Sequence, residues 1–263
     1  MEPRERRVPA LRARELITDL GTGKRSPGAA AYRERFRDAH SVFVVVHVTD
    51  VDQALRNTRI ARDAGATGVF LINHGIAASS LQEIWAVVTL AEPGFWVGVN
   101  DLSRSYLDIA RSYPVDLPGV WSDHCVWASD GPDHVGARDV RRKQQNLAQP
   151  PLLFGGVAFK YGRDEHLRGE GLAALAGQAR ELVDVITTSG SGTGCAANLE
   201  KIATMRGAIG DYPLAIASGI TPENVADYLP HADAFLVATG ISTTFDEIDP
   251  VATAALVARV QAG

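Results

Sequence analysis

Two cysteines in 263 residues, Cys125 and Cys195, form no CxxC and no regular framework. A disulfide-stapled fold is therefore excluded, and the count fits a reducing cytoplasm. No apolar run is long enough to span a bilayer, and the charged start MEPRERRVPALRARELI leads into no apolar signal region. A cytoplasmic protein without membrane insertion is expected. Positive charge is scarce too: 26 Lys and Arg against 31 Asp and Glu leave a net charge of −5. That argues against a broad nucleic-acid surface, so no nucleic-acid partner is expected. The chain has no GxxxxGK[ST] loop; GTGKRS near the start lacks that spacing and follows no strand. It also lacks HxH and HExxH. The WSDHC segment sets Asp, His and Cys side by side, where neighbours on a strand face opposite ways, so no metal site is expected.

What is present is an ordinary globular mixture, 46% hydrophobic and 22% charged, with ample length for a buried core. From Val42 onward short β-branched runs alternate with amphipathic stretches. The strand candidates are VFVVVHV (42–48), GVFLIN (68–73), FWVGVN (95–100), PGVWSD (118–123), LLFGGVAFK (152–160), LVDVITT (182–188), PLAIAS (213–218) and AFLVAT (234–239). Each is continuously apolar and bounded by turn residues, as in strands buried on both faces of a parallel sheet. Helical patterns separate them, from DVDQALRNTRIARDAG to PENVADYL and the closing DPVATAALVARVQA. Eight such units predict a single-domain (β/α)8 barrel over 41–263, with a short helical N-terminal extension over 1–40. A doubly wound open sheet is the alternative, but no GxGxxG follows the first strand.

In such a barrel the loops after the strands form the rim that carries the site. The strand ends are polar: His47, Asn73, Asn100, Asp101, Asp123 and Lys160 supply candidate catalytic groups. Lys160 follows a long apolar run and could act as an electrostatic clamp, an acid/base or a Schiff-base amine; it could also simply reach back to water. His47 in its apolar strand could equally be a hydrogen-bonded core histidine. After strand six comes Ser189, Gly190, Ser191, Gly192 and Thr193; after strand seven, Ser218 and Gly219; after strand eight, Thr239, Gly240 and Ser242. Glycine lets backbone approach an anion, and exposed N–H groups at a loop or helix start donate to it. Paired glycine turns after strands seven and eight suit a phosphate, although they could merely permit tight turns. No Lys or Arg lies in the three turns, so binding there would rest on backbone donors and hydroxyls.

The chain resembles the BtpA/SgcQ family of barrels, that of the photosystem I biogenesis protein BtpA. The resemblance runs from about Val42 to the C-terminus and is carried by INHG, GVN, VAFKYG around Lys160, TSGSGTGCAANLEKI and ASGITPENVADYLPHADAFLVATGIS. It implies the barrel and a phosphate-type pocket, with a lysine after strand five. Three loops depart from the family pattern: TDVDQA replaces a Pro/Gly-rich first loop, WSDHC an asparagine-bearing fourth, and ISTTFDE lacks a lysine common in the eighth.

The first expectation is thus an enzyme acting on a small phosphorylated metabolite, a sugar phosphate or ribosyl phosphate, by isomerase, lyase or glycosyl-transfer chemistry. A non-enzymatic assembly factor and an FMN-binding oxidoreductase are the alternatives. The sequence assigns no cofactor and leaves a homo-oligomer open.

Overall fold

The computed structural model describes residues 27–113, 117–123, 127–128, 131–132, 134–147 and 149–263. GTGKRS falls wholly outside them, as do His124 and Cys125 of WSDHC. Eight parallel strands close into a barrel in chain order: β1 (Ser41–His47), β2 (Gly68–Ile72), β3 (Trp96–Asn100), β4 (Gly119–Ser122), β5 (Leu152–Gly156), β6 (Val185–Thr188), β7 (Leu214–Ile216) and β8 (Ala234–Val237). Helix α1 (Pro27–Arg35) precedes the barrel. The helices around it are α2 (Val51–Asp63), α3 (Ala78–Ala91), α4 (Tyr106–Ser112), α5 (His134–Gln145), α6 (Gly169–Ala179), α7 (Leu199–Ile209) and α8 (Pro250–Ala262). The protein is a (β/α)8 barrel.

Alternation along each strand sorts the side chains into two cores. Val42, Val44 and Val46 of β1 pack outward on the helices, whereas Phe43 and Val45 join a second cluster inside the barrel. That interior is aromatic: Phe43 lies 4.8 Å from Trp96 and 5.6 Å from Phe70 between ring centroids, and Phe70 lies 5.1 Å from Phe154. Such tilted pairs add stabilisation beyond the area they bury. The Trp96 indole needs space that neighbouring strands give up. A Cβ on Gly98 or on Gly119 would stand 2.5 Å from the indole ring. Helix α1 closes the same end. The Tyr32 hydroxyl donates to Ser41 Oγ at 3.1 Å, and Phe36 meets Phe43 edge-on at 5.3 Å. These rings fill the barrel axis toward its amino-terminal end, and a cavity lies at the carboxyl ends of the strands.

Two expected elements differ from the observed ones. LLFGGVAFK was expected as one strand to Lys160, but β5 stops at Gly156. Ala158 there takes φ 47°, and its N–H turns to the Asp164 carboxylate, so Lys160 stands on a loop beyond the strand. PENVADYL forms only a 3₁₀ turn, Val225–Asp227, where an α-helix was expected. Asn224 explains this by competing for backbone groups: its Oδ1 accepts from Thr221 N at 2.9 Å and its Nδ2 donates to Gly219 O at 2.8 Å. A short antiparallel pair, Trp127–Ala128 with Gly131–Pro132, has no counterpart in the sequence reading.

Gly98→Ala is expected to destabilise the barrel by about 1–3 kcal/mol through overpacking. Trp96→Phe in the same chain, by shortening the ring that crowds residue 98, should recover part of that loss in urea unfolding. Equal loss in the single and double variants would show that the indole is not what excludes the methyl group.

Candidate active site at the open end of the barrel

A cavity of about 240 Å³ opens among the carboxyl ends of the strands. Its floor is the upper interior layer, Val45, Ile72, Trp121 and Leu236. One wall comes from the loops after β6, β7 and β8, which pack on each other through their glycines. Gly219 has φ 63°, and a Cβ on it would stand 2.2 Å from Ala196 N; one on Gly240 would stand 1.9 Å from Ile220 O. Gly190 is equally confined, 2.1 Å from Cys195 O. Ser218 Oγ ties the turns together, 2.7 Å from the Gly192 carbonyl and 3.0 Å from that of Cys195. At Gly194, with φ 75°, a Cβ would stand 3.4 Å from the Thr239 methyl. These glycines therefore do structural work in the wall, and a side chain at 219 or 240 would break the wall rather than test a ligand.

Of the residues expected here, Thr193, Ser218, Gly219, Thr239 and Gly240 line the cavity from this wall. Ser189, Gly190, Ser191, Gly192 and Ser242 do not. Ser189 is buried and its hydroxyl accepts from Lys160 N at 2.7 Å; Ser242 Oγ donates to Ala238 O at 2.9 Å. Both hydroxyls hold loop backbone.

Across the cavity the catalytic candidates divide in the same way. His47, Asp123 and Lys160 line it. Asn100 lies buried behind Asp123 and donates to its Oδ1 at 3.2 Å, so it orients that carboxylate. Asn73 and Asp101, expected as catalytic, are committed to the loop after β3. Asn73 Nδ2 donates to Asp101 Oδ1 at 3.2 Å and its Oδ1 accepts from Leu102 N at 2.8 Å; Ser103 N and Oγ donate to Asp101 at 3.0 and 2.7 Å. Strand parity explains this, since both residues stand one position out of step with the inward-facing set.

Lys160 Nζ reaches Thr193 Oγ1 at 3.4 Å. A cation thus joins the wall of glycine turns, which has none of its own in the sequence. His47 shows a second arrangement. Its Nδ1 lies 2.9 Å from the Phe245 carbonyl, and burial, the largest influence, lowers its pKa to about 4. The ring is neutral at pH 7, and since a carbonyl only accepts, the proton sits on Nδ1 and leaves Nε2 as an acceptor. His74 faces it edge-on at 5.0 Å, its own pKa lowered chiefly by burial.

Sequence reasoning missed Phe245, which covers His47 at 4.0 Å between ring centroids, and it passed over His74. Parity with Phe70 and Ile72 would have selected His74. It also missed Lys201, a buried lysine in the first turn of α7. Its ammonium donates to Ala158 O at 2.5 Å and Ser189 O at 2.7 Å, clamping the loops after β5 and β6. Burial, reinforced by Arg168 and opposed by Asp164 and Glu165, lowers its pKa to about 8. Among the described residues no group of three or more His, Cys, Asp or Glu could hold a metal ion, and no helix is long and apolar enough to cross a membrane.

The barrel with a cavity at its carboxyl mouth defines the class of fold, and the comparisons with known proteins bear on that fold. No protein-family model and no curated protein matches the sequence. Solved structures do resemble it. A phosphoribosyl anthranilate isomerase from Thermus thermophilus aligns with TM-score 0.59 and 18% identity over 84% of this chain and 98% of that one. (S)-3-O-geranylgeranylglyceryl phosphate synthase from Thermoplasma acidophilum, in complex with its substrate sn-glycerol-1-phosphate, aligns at 0.61 and 13% over 90% and 99%. The 2-keto-3-deoxy-6-phosphogluconate aldolase of Zymomonas mobilis aligns at 0.56 and 15% over 85% and 93%.

Lys201→Met should cost about 1–3 kcal/mol, because it leaves two buried carbonyls without their donor. The check is chemical unfolding at pH 7, where a variant as stable as wild type would show that the clamp contributes nothing. His47 makes a separate, pH-dependent contribution. Its folded pKa lies below the ordinary value of 6.5, so the unfolded chain binds the extra proton first. That part of the stability is present above pH 6.5 and is lost as the pH falls toward 4. His47→Phe should flatten the decline in Tm over this window, and an unaltered slope would assign the decline to other groups.

Proposed function

We propose that the protein is an enzyme of the BtpA/SgcQ type that binds a small phosphorylated metabolite at this mouth and transforms it by acid/base chemistry. The observation that carries the reading is the joined wall of three turns with Lys160 brought to it through Thr193. Backbone at Gly194, Gly219 and Gly240 can approach a phosphate closely, Thr193 and Thr239 offer hydroxyls, and the ammonium supplies the charge. The names of the aligned isomerase, synthase and aldolase each include a phosphorylated compound, which supports a phosphorylated ligand.

Asp123 then serves as general base, oriented by the Asn100 amide, and Nε2 of His47 accepts a hydrogen bond from a substrate hydroxyl or amine. With Lys160 beside the anion, its main role is electrostatic, and a Schiff base is not required. The BtpA/SgcQ assignment is supported by position: VAFKYG, TSGSGTG and SGITPEN, which carry the resemblance, are the segments that meet at this wall.

Inorganic phosphate should raise the melting temperature, a concentration of 100 times Kd corresponding to about 2.7 kcal/mol. Lys160→Met keeps the apolar stem and should weaken phosphate binding at least tenfold while leaving the unliganded Tm nearly unchanged. No phosphate-dependent shift in wild type, or the same shift in the variant, would remove the proposed anion site.

A further inference from the structure

Resting on the phosphate reading, we infer that the other end of the ligand is a flat unsaturated ring, aromatic or heteroaromatic, held against Phe245 and His47. Large apolar side chains exposed to solvent are few among the described residues, and three of them stand around this one cavity: Leu102 at 47%, Phe245 at 53% and Tyr161 at 72%. Scattered exposure is ordinary, but a cluster at the mouth of a pocket marks a contact surface.

Phe245 is not exposed through looseness. It sits at the tip of a short hairpin closed by Thr243 N donating to Glu247 O at 2.9 Å and by the Ser242–Ile248 bridge. Two buried amides of α2 anchor that hairpin: Gln53 Nε2 and Asn57 Nδ2 each donate to Asp246 O at 2.6 Å. Asn57 Oδ1 also accepts from Ile248 N at 3.3 Å. The hairpin that carries the ring is thereby anchored beside the mouth, so less has to be ordered when a ligand binds.

The surroundings favour a ring over a sugar. Phe245 lies tilted by 33° on His47, and His74 meets both rings edge-on, at 5.0 and 5.5 Å. Beneath them the floor is Val45, Ile72 and Leu236. A polyhydroxylated end placed there would bury hydroxyls against hydrocarbon with few partners, which is unfavourable. A ring would meet aromatic faces and one acceptor, His47 Nε2, suited to a ring N–H or O–H. The volume of about 240 Å³ lies just below the roughly 300–1,000 Å³ usual for ligand pockets, which suits a small ligand such as one ring on a short phosphorylated chain.

The experiment is a calorimetric comparison of inorganic phosphate, n-propyl phosphate, ribose 5-phosphate, 3-phenylpropyl phosphate and 3-phenylpropanol. We expect 3-phenylpropyl phosphate to bind at least tenfold more tightly than the propyl or ribose ester. Phe245→Ala should erase that advantage with inorganic phosphate affinity unchanged, and Phe245→Leu should restore only part of it. A ribose ester that binds as tightly as the phenylpropyl ester, or an advantage that survives Phe245→Ala, overturns the ring assignment and leaves the phosphate reading standing. If no phosphate compound gains from its phosphate while 3-phenylpropanol binds in a Phe245-dependent way, the ring assignment stands and the phosphate reading falls. Absence of binding by every probe overturns both.

Discussion

Bulk inside the barrel is unevenly distributed around its axis, and the position of the site depends on that constraint. The first five strands send in Phe43, Phe70, Trp96, Trp121 and Phe154, all buried. Strands seven and eight send in Ala215, Ala217 and Ala234 with Leu236. A close-packed interior leaves free volume only where side chains are small. The lower layers of the barrel axis are filled by the aromatic cluster, so the cavity at the carboxyl end lies toward the smaller side chains of β7 and β8. That is also where the glycine turns bring backbone close to the opening. Cavity and glycine-lined wall thus meet for one steric reason, without either having been built around the other.

Electrostatics then divides labour between two lysines. Lys201 is buried and spends its donors on the Ala158 and Ser189 carbonyls, so it acts on the loops and not on a ligand. Lys160 emerges from the loop that this clamp holds, with its own N–H fixed by Ser189 Oγ. Its ammonium consequently enters the cavity from a restrained backbone, the condition under which a charge can be aimed at a ligand. Loss of the clamp would free both the loop after β5 and the start of the loop after β6, coupling the stability of the wall to the position of the cation.

Much of the fold was legible because buried parallel strands leave an unmistakable pattern: SVFVVVH is buried at every position and recurs, in kind, seven more times. The ends of elements were harder. Val157 and Phe159 continue the apolar run of β5, yet Asp164, six residues on, and Lys201, far along the chain, capture the backbone of Ala158 and end the strand. An apolar run alone does not signal that competition. In the site, residue type alone gave polar strand ends but not their direction. Counting in twos from Val45, Ile72 and Trp121 leads to His47, His74 and Asp123, which line the cavity, and away from Asn73 and Asp101, which do not. Phe245 escaped because a loop aromatic looks unremarkable until the partners of its hairpin, Gln53 and Asn57, are seen on another helix.

The departures in the first and eighth loops acquire a common physical meaning through that contact. Asp50 of TDVDQA caps α2, its carboxylate accepting from Gln53 N at 2.8 Å, and Gln53 in turn holds Asp246 of ISTTFDE. Arg56 on the same helix pairs with Glu247 at 2.7 Å, an exposed ion pair that adds little by itself. The buried amides carry the connection: Gln53 also donates to His47 O at 3.0 Å, so one side chain ties the end of β1 to the hairpin of the eighth loop. In this chain the eighth loop therefore contributes a ring supported from α2, where the resemblance would have led one to expect a lysine. A neutral histidine beneath an anchored phenyl ring gives that side of the mouth an apolar, weakly basic character. The only charges lining the cavity among the described residues, apart from titrating histidines, are Asp123 and Lys160, so any charge development in a bound substrate has to be met along that arc.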